Sequence, residues 1–384
     1  MTTVHSWRGD CLDVLPTLST RPVDLVYIDP PYNVGVYGHY ADRRGDWQQF
    51  ITDRLRACRP LLSPTAVVVI SIGDSELHRL RVAADTVFGP QGYLGTVHWA
   101  GNGSPRARFV AGGVDHLVLY AADHVALESS GRSFRVPKPG VGAVLAGAAQ
   151  CWAQHPGDPV AASKAMRSWW ASLPSEHPAQ SAPGLRRYMK ISPDGRLYRT
   201  TPLNKPLPRP GHVYDITHPV TDQPCQMPTN GWRHTEATLR ELLDAGGVHF
   251  GPDHGEVPQA RAYLDELGTT PLPSVINHRR EGTRVLTELI GAHDFPYPKD
   301  PQVLTWLFSA LAGPDAVVLD FFAGTGTTAH AVADLDVEDG GDRTVLLITN
   351  DESYDRYLAR RLGALSAAGR LDWADHAVRE AASA

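Results

Sequence analysis

Val317-Val318-Leu319-Asp320-Phe321-Phe322-Ala323-Gly324-Thr325-Gly326-Thr327-Thr328 reads as a buried strand, a glycine turn and the opening of a helix. The spacing Phe322-x-Gly324-x-Gly326 puts small residues where a strand-to-helix turn lets a ligand approach the backbone. A helix beginning at Thr327 offers free N–H groups and a positive dipole end to an anionic group. The hydroxyls of Thr327 and Thr328 add hydrogen bonds. Alone, the glycine pattern serves a nucleotide or a flavin equally well. No Gly-Lys-Ser/Thr follows it, which argues against a phosphate-cradling nucleotidase.

Working outward, the pattern predicts a helix over 301–311, a strand over 344–349 and a helix over 354–368. The stretch after Trp373 is Ala-rich and expected to fray. At the amino end, strand-like runs at 3–7, 23–28 and 66–72 alternate with helical stretches at 11–18, 47–62 and 75–88. Two further strand-like runs, 95–100 and 116–120, suit a terminal hairpin. Strands alternating with helices predict an α/β fold, a doubly wound and mostly parallel sheet. Between about 124 and 290 the periodicity weakens and Pro and Gly recur, with 235–243 as the clearest helix. Both ends look like halves of one sheet, and the middle looks inserted. The organisation expected is a first half over 1–123, an inserted recognition domain over 124–290, a second half over 291–372 and a tail over 373–384.

Length and composition suit a globular enzyme: 384 residues, 42% hydrophobic and 20% charged. Apolar runs such as 66–70 are too short to span a membrane. No signal peptide is visible at the start, so a cytoplasmic location is expected. Cys11, Cys58, Cys151 and Cys225 are scattered, as reduced thiols would be, and no residues form a metal-binding spacing. The net charge of −6 is unevenly spread. From Arg132 to Arg209, 12 Lys/Arg stand against three acids, a local +9 that leaves −15 on the rest. Such a block is the footprint of a polyanion-binding face. Arg186, Arg187 and Lys190 lie within it, and Arg106 and Arg108 in a Gly/Asn-rich stretch could also contact phosphates.

Asp29-Pro30-Pro31-Tyr32-Asn33 directly follows the run Val23 to Ile28. An exocyclic amine on a nucleobase is a poor nucleophile because its lone pair is delocalised into the ring. Acceptors placed on its two hydrogens draw the nitrogen toward tetrahedral geometry and free that pair. Asp29 can supply one acceptor and the Pro30 carbonyl another, while Pro30 and Pro31 fix the backbone and bring no N–H of their own. Tyr32 can stack on a base taken out of the duplex. The competing reading is a plain strand-end turn, since Asp-Pro is a common turn starter.

With these motifs in this order, the chain resembles a β-class DNA amino-methyltransferase, and more closely the Mod subunit of type III restriction–modification systems. The resemblance covers almost the whole chain. It implies a Rossmann-like methyltransferase fold in circularly permuted order, with S-adenosylmethionine as methyl donor. Trp7-Arg8-Gly9-Asp10-Cys11-Leu12 resembles the motif whose aspartate, here Asp10, meets the cofactor's adenine. Pro296-Tyr297-Pro298-Lys299 resembles a cofactor-side motif, with Asp300 where the family usually has proline. It implies cofactor contacts from Asp29, Pro298, Lys299, Asp320, Phe322, Ala323, Gly324, Gly326, Thr327 and Thr328, and from Glu352 or Asp351 at the ribose. Gly231-Trp232-Arg233 and Gly340-Gly341-Asp342-Arg343 are further landmarks.

The function expected is methylation of adenine N6 in double-stranded DNA at a specific sequence. Cytosine N4, an RNA or protein amine, and a DNA-reading subunit without turnover remain alternatives. A homodimer and a restriction or defence partner subunit are the assemblies that the resemblance leaves open. The chain is shorter than a typical Mod subunit.

Overall fold

The computed structural model describes residues 1–33, 45–101, 108–110, 112–180, 183–205, 207–349 and 353–376. Two compact units emerge: Met1–Val136 with Pro271–Ala384, and Pro137–Thr270. Residues 124–136 and 271–290, grouped by sequence with the middle segment, therefore pack with the first unit.

The first unit is built on a nine-stranded sheet. Its strands lie in the order Val275–Asn277, Tyr93–Ala100, Val114–Ala121, Leu62–Ile72, Val23–Ile28, Val317–Asp320, Thr344–Thr349, Thr2–Arg8 and Leu371–His376. Val114–Ala121 runs antiparallel to both of its neighbours. Every other pairing is parallel. Successive side chains on a strand point to opposite faces, and each face here builds its own core. Leu25, Val67, Val318 and Val345 pack beneath the helices Pro301–Leu311 and Thr327–Asp339. Val26, Val68, Leu319 and Leu346 pack beneath Trp47–Cys58 and Leu77–Phe88. The sheet is doubly wound.

The central pair positions the site. Val318 and Leu319 stand opposite Leu25 and Val26 in parallel register, so the ends of the two strands open side by side. From there the chain leaves in opposite directions, one strand crossing over to Thr344–Thr349 and the other to Leu62–Ile72. A crevice at such a switch point is where doubly wound sheets bind ligands. Two motifs at opposite ends of the sequence thereby share one crevice.

Of the stretch after Trp373, residues 374–376 belong to the edge strand Leu371–His376 beside Thr2–Arg8, and 377–384 lie outside the described residues. Leu371 is buried, and Trp373 donates from Nε1 to Ser6 Oγ at 2.8 Å. The helix expected over 354–368 opens instead with a wider π turn, Tyr354–Leu358, before Ala359–Ala367.

The second unit holds two 14-residue helices, Val141–Gln154 and Pro159–Ser172, that sequence periodicity did not pick out. The first is packed through small residues. A Cβ on Gly147 would fall 2.3 Å from the Trp169 ring. The second opens with Asp158 accepting from the Val160 and Ala161 amides and Pro159 in the first turn. An antiparallel sheet, ordered Lys190–Ile191, Leu197–Pro202, Gln259–Tyr263 and Val248–His249, completes the unit. No helix among the described residues is long and apolar enough to cross a membrane.

Candidate active site

Asp29 directly follows the strand Val23–Ile28, and the turn that it opens is tied down by its neighbours. Trp47 Nε1 donates to the Pro31 carbonyl at 2.7 Å, and Ser75 Oγ donates to the Tyr32 carbonyl at 2.8 Å. Asn33 takes a left-handed backbone at φ 58°, which asparagine tolerates, and donates from Nδ2 to Glu76. The Tyr32 hydroxyl lies 3.0 Å from Asp29 Oδ1 and 2.8 Å from Ser71 Oγ. Its ring rests against Gly73, where a Cβ would come within 3.0 Å of Cδ2.

Lys299 completes this cluster from the far end of the sequence. Its Nζ lies 2.7 Å from Tyr32 Oη, 3.2 Å from Asp29 Oδ1 and 3.1 Å from Asp115 Oδ2. The ammonium also sits 4.9 Å from the centre of the Tyr32 ring. Asp115 in turn lies 3.4 Å from Arg280. Burial raises the Asp29 pKa against the opposing pull of Lys299, with Asp115 adding to the rise. Burial works to discharge Lys299, but Asp29 and Asp115 outweigh it and hold its pKa above the ordinary lysine value.

The seat of Lys299 depends on close backbone approach. A Cβ on Gly282 would fall 2.0 Å from the Pro298 carbonyl oxygen. Asp300, where the family pattern usually has proline, is buried and accepts from the Gln302 and Glu281 amides, 3.0 Å each. It caps the helix Pro301–Leu311, with Pro301 taking the first helical position.

In the glycine turn, Gly324 has φ 51° and Gly326 φ 77°, both disfavoured for residues with a Cβ. Gly324 lines the cavity, whereas a Cβ on Gly326 would point toward Leu358 and Arg361. Asp320 accepts from the Phe322 amide at 3.0 Å and from Thr328 Oγ1 at 2.5 Å. Burial pushes its pKa up to about 7 against those two hydrogen bonds. Thr327 Oγ1 accepts from the buried Arg361 at 2.6 Å.

Asp10 follows the strand Thr2–Arg8 and caps the helix Cys11–Val14 through the Leu12 amide. Arg54 reaches both of its oxygens, at 3.0 and 2.6 Å, and its guanidinium lies 3.8 Å from the centre of the Phe50 ring. Phe50 in turn faces Phe322 at 5.9 Å.

One cavity of about 1110 Å³ joins these groups. Asp10, Phe50, Arg54, Asp29, Tyr32, Pro298, Lys299, Asp320, Phe322, Ala323, Gly324, Thr327 and Thr328 all line it. Pockets for one drug-sized ligand run to roughly 1,000 Å³, so there is room for a nucleoside cofactor and part of a second base. The residues fit S-adenosylmethionine: a helix N-terminus for its carboxylate, aromatic rings and Asp10 for its adenine. Tyr27 Oη, buried in the wall, lacks a hydrogen-bond partner among the described residues.

Glu352, Asp351 and Arg106 lie outside the described residues. Arg108 is exposed, its guanidinium 5.3 Å from the Phe109 ring. Arg186 and Arg187 are exposed in the second unit, on the short helix Pro183–Arg187. Lys190 instead turns its ammonium to His249 Nε2 at 2.8 Å. Burial lowers the pKa of both partners, with His249 down to about 4. Two landmarks are structural: Trp232 is fully buried and bonded to the Tyr214 carbonyl, and buried Arg343 pairs with Asp336 and Asp339. Sequence reasoning missed Asp115, Arg280, Ser71, Phe50 and Arg54. Only the last two carried a signal, a four-residue helical spacing that puts both on one face.

A profile described as DNA methylase, of the N6/N4 methyltransferase type, matches residues 23–354. The StyLTI Mod subunit of a type III restriction–modification enzyme from Salmonella typhimurium is 28% identical over 92% of this chain and 54% of its own length. The chain thus spans about half the length of that relative. The type II methyltransferase M.KpnI from Klebsiella pneumoniae is 26% identical over 92% of this chain and 82% of its own. Among solved structures, the M1.HpyAVI–SAM complex superposes over 94% of this chain and 99% of its own, at 12% identity and a TM-score of 0.44. With most of its length matched by that profile, the chain belongs to the N6/N4 DNA methylase family.

Proposed function

We propose that this chain transfers a methyl group from S-adenosylmethionine to N6 of an adenine flipped out of duplex DNA at a specific sequence. The observation that carries the reading is the shared cavity, in which the Asp29 turn and the glycine turn open side by side. S-adenosylmethionine supplies an electrophilic methyl group when bound. Asp10, Phe50 and Phe322 hold its adenine, and the amide end of the helix Thr327–Asp339 meets its carboxylate. Asp29 and the Pro30 carbonyl accept from the two hydrogens of the target amine and free its lone pair toward the methyl carbon. Trp47 holds the neighbouring Pro31 carbonyl, which fixes the turn and leaves that of Pro30 for the amine. The exposed Arg186 and Arg187 support DNA contact by the second unit, and the Mod relatives support a restriction partner acting with the chain.

The test is transfer of labelled methyl groups into unmethylated duplex DNA, followed by nucleoside analysis. N6-methyladenine is the expected product. Label in N4-methylcytosine would reassign the base, and no label in any DNA would refute the activity.

A further inference from the structure

We infer that Lys299, anchored by Asp115, is a positioning residue that holds the Asp29 carboxylate ionised and turns one of its oxygens to the target amine. The inference deepens the methyl-transfer reading and rests on it for its consequence in catalysis, though not for its geometry.

The hydrogen-bond inventory sets the roles. An ammonium only donates, so Lys299 donates to Tyr32 Oη and Asp115 Oδ2, and it pairs with Asp29 Oδ1 at 3.2 Å. The Tyr32 oxygen, which accepts from Lys299, keeps its own hydrogen for Asp29 Oδ1 at 3.0 Å when Ser71 donates to it. Both contacts to Asp29 therefore converge on Oδ1, and no donor among the described residues falls on Oδ2. Oδ2 is left to accept from the amine. With Oδ1 held on one side, the carboxylate plane cannot turn away as a base arrives.

Charge matters as much as direction, because a protonated carboxyl group would lose the acceptor strength that the amine requires. The titratable groups around Asp29 are Tyr27 from the strand that precedes it, Tyr32, Asp115 from Val114–Ala121, Lys299 and Asp320. Among them Lys299 is the cation, while Asp115 and burial favour the protonated acid. The same Asp115, on the strand Val114–Ala121, keeps the ammonium in place at 3.1 Å. This places Lys299 with the amine-activating group, whereas the sequence motif implied a cofactor contact.

The test follows Asp29 directly by carbon-13 NMR of protein labelled at the aspartate carboxyl, with the resonance assigned by Asp29→Asn. It requires no methyl transfer. Lys299→Met should raise the Asp29 titration midpoint by about one pH unit or more, and Lys299→Arg should hold it nearer the wild-type value. Lys299→Gln, neutral but still a donor, gives the same reading should the methionine variant not fold. In single-turnover transfer, the acidic limb of the rate profile should move upward with the midpoint, while the Kd for S-adenosylmethionine stays within a few-fold. An unmoved midpoint in the neutral variants overturns the proposal. So does a large loss of cofactor affinity without a change in the limb, which would make Lys299 a cofactor ligand. Wild-type protein inactive on every DNA would refute the activity while leaving the midpoint result to judge Lys299.

Discussion

Thr328 Oγ1 donates to Asp320 Oδ2 at 2.5 Å across the turn that joins the glycine strand to its helix. Even with this bond and the Phe322 amide, burial holds the Asp320 pKa up to about 7. A carboxyl group raised on folding stabilises the fold fully below its unfolded pKa, near 4, and that contribution is lost as pH rises toward 7. Asp320→Asn, which cannot ionise, should therefore match or fall below wild type at about pH 4 and gain on it above pH 7. The relative gain should reach at most about 4 kcal/mol. Thermal unfolding of both proteins across this range checks the sign. A difference that does not vary with pH would mean that Asp320 titrates normally.

Gly282 is the contact that lets the Lys299 segment close. With a Cβ placed 2.0 Å from the Pro298 carbonyl, Gly282→Ala forces that backbone outward. Overpacking of this kind costs about 1–3 kcal/mol. The denaturant midpoint should fall, and methyl transfer should fall with it because Lys299 moves. A variant with wild-type stability and rate would show that the approach is looser than described.

Gly326 predicts a different outcome. Its left-handed backbone and the direction of its missing Cβ, toward Leu358, make Gly326→Ala a stability change of about 1–2 kcal/mol. It should not block the cofactor directly. Calorimetric titration of the folded variant should give a Kd for S-adenosylmethionine within a few-fold of wild type. A large loss of affinity at unchanged stability would place Gly326 against the ligand after all.

The basic block of the second unit is testable by salt dependence. Each phosphate contact contributes a slope of roughly 0.9 in log affinity against log salt. Arg186 and Arg187 are exposed, whereas Lys190 is committed to His249. Replacing the two arginines with alanine should flatten the slope by up to about two units, and adding Lys190→Ala should change it little. An unchanged slope in the double variant would remove this surface from DNA contact.

The central fold was legible because its strands are short apolar runs with sharp ends. The strands Val23–Ile28 and Thr344–Thr349, and the helix Pro301–Leu311 between them in sequence, occupy the residues that the pattern predicted. What was hidden depended on small side chains or distant partners. Val141–Gln154 buries Val141, Val144, Gly147, Ala148 and Cys151, but further Ala residues around the helix blur the contrast that marks an amphipathic stripe. Leu371–His376 pairs as a strand with Thr2–Arg8, a partner far away along the chain that local sequence does not reveal. The same division runs through the site. Asp29 and Gly324 announce themselves by local sequence, but Asp115 carries no local mark. Its role comes from strand order, which brings it to a lysine far along the chain.

The proposed activity stands or falls on methylation of a base amine in DNA at the Asp29 turn. Methylation-aware long-read sequencing of genomic DNA from cells expressing the wild-type chain, or Asp29→Ala, tests it most directly. The wild type should leave N6-methyladenine at one recurring sequence, and Asp29→Ala should leave none while the purified variant still binds S-adenosylmethionine within a few-fold. The same methylated sites with Asp29→Ala, or no methylated base in cells that accumulate folded wild-type protein, would contradict it.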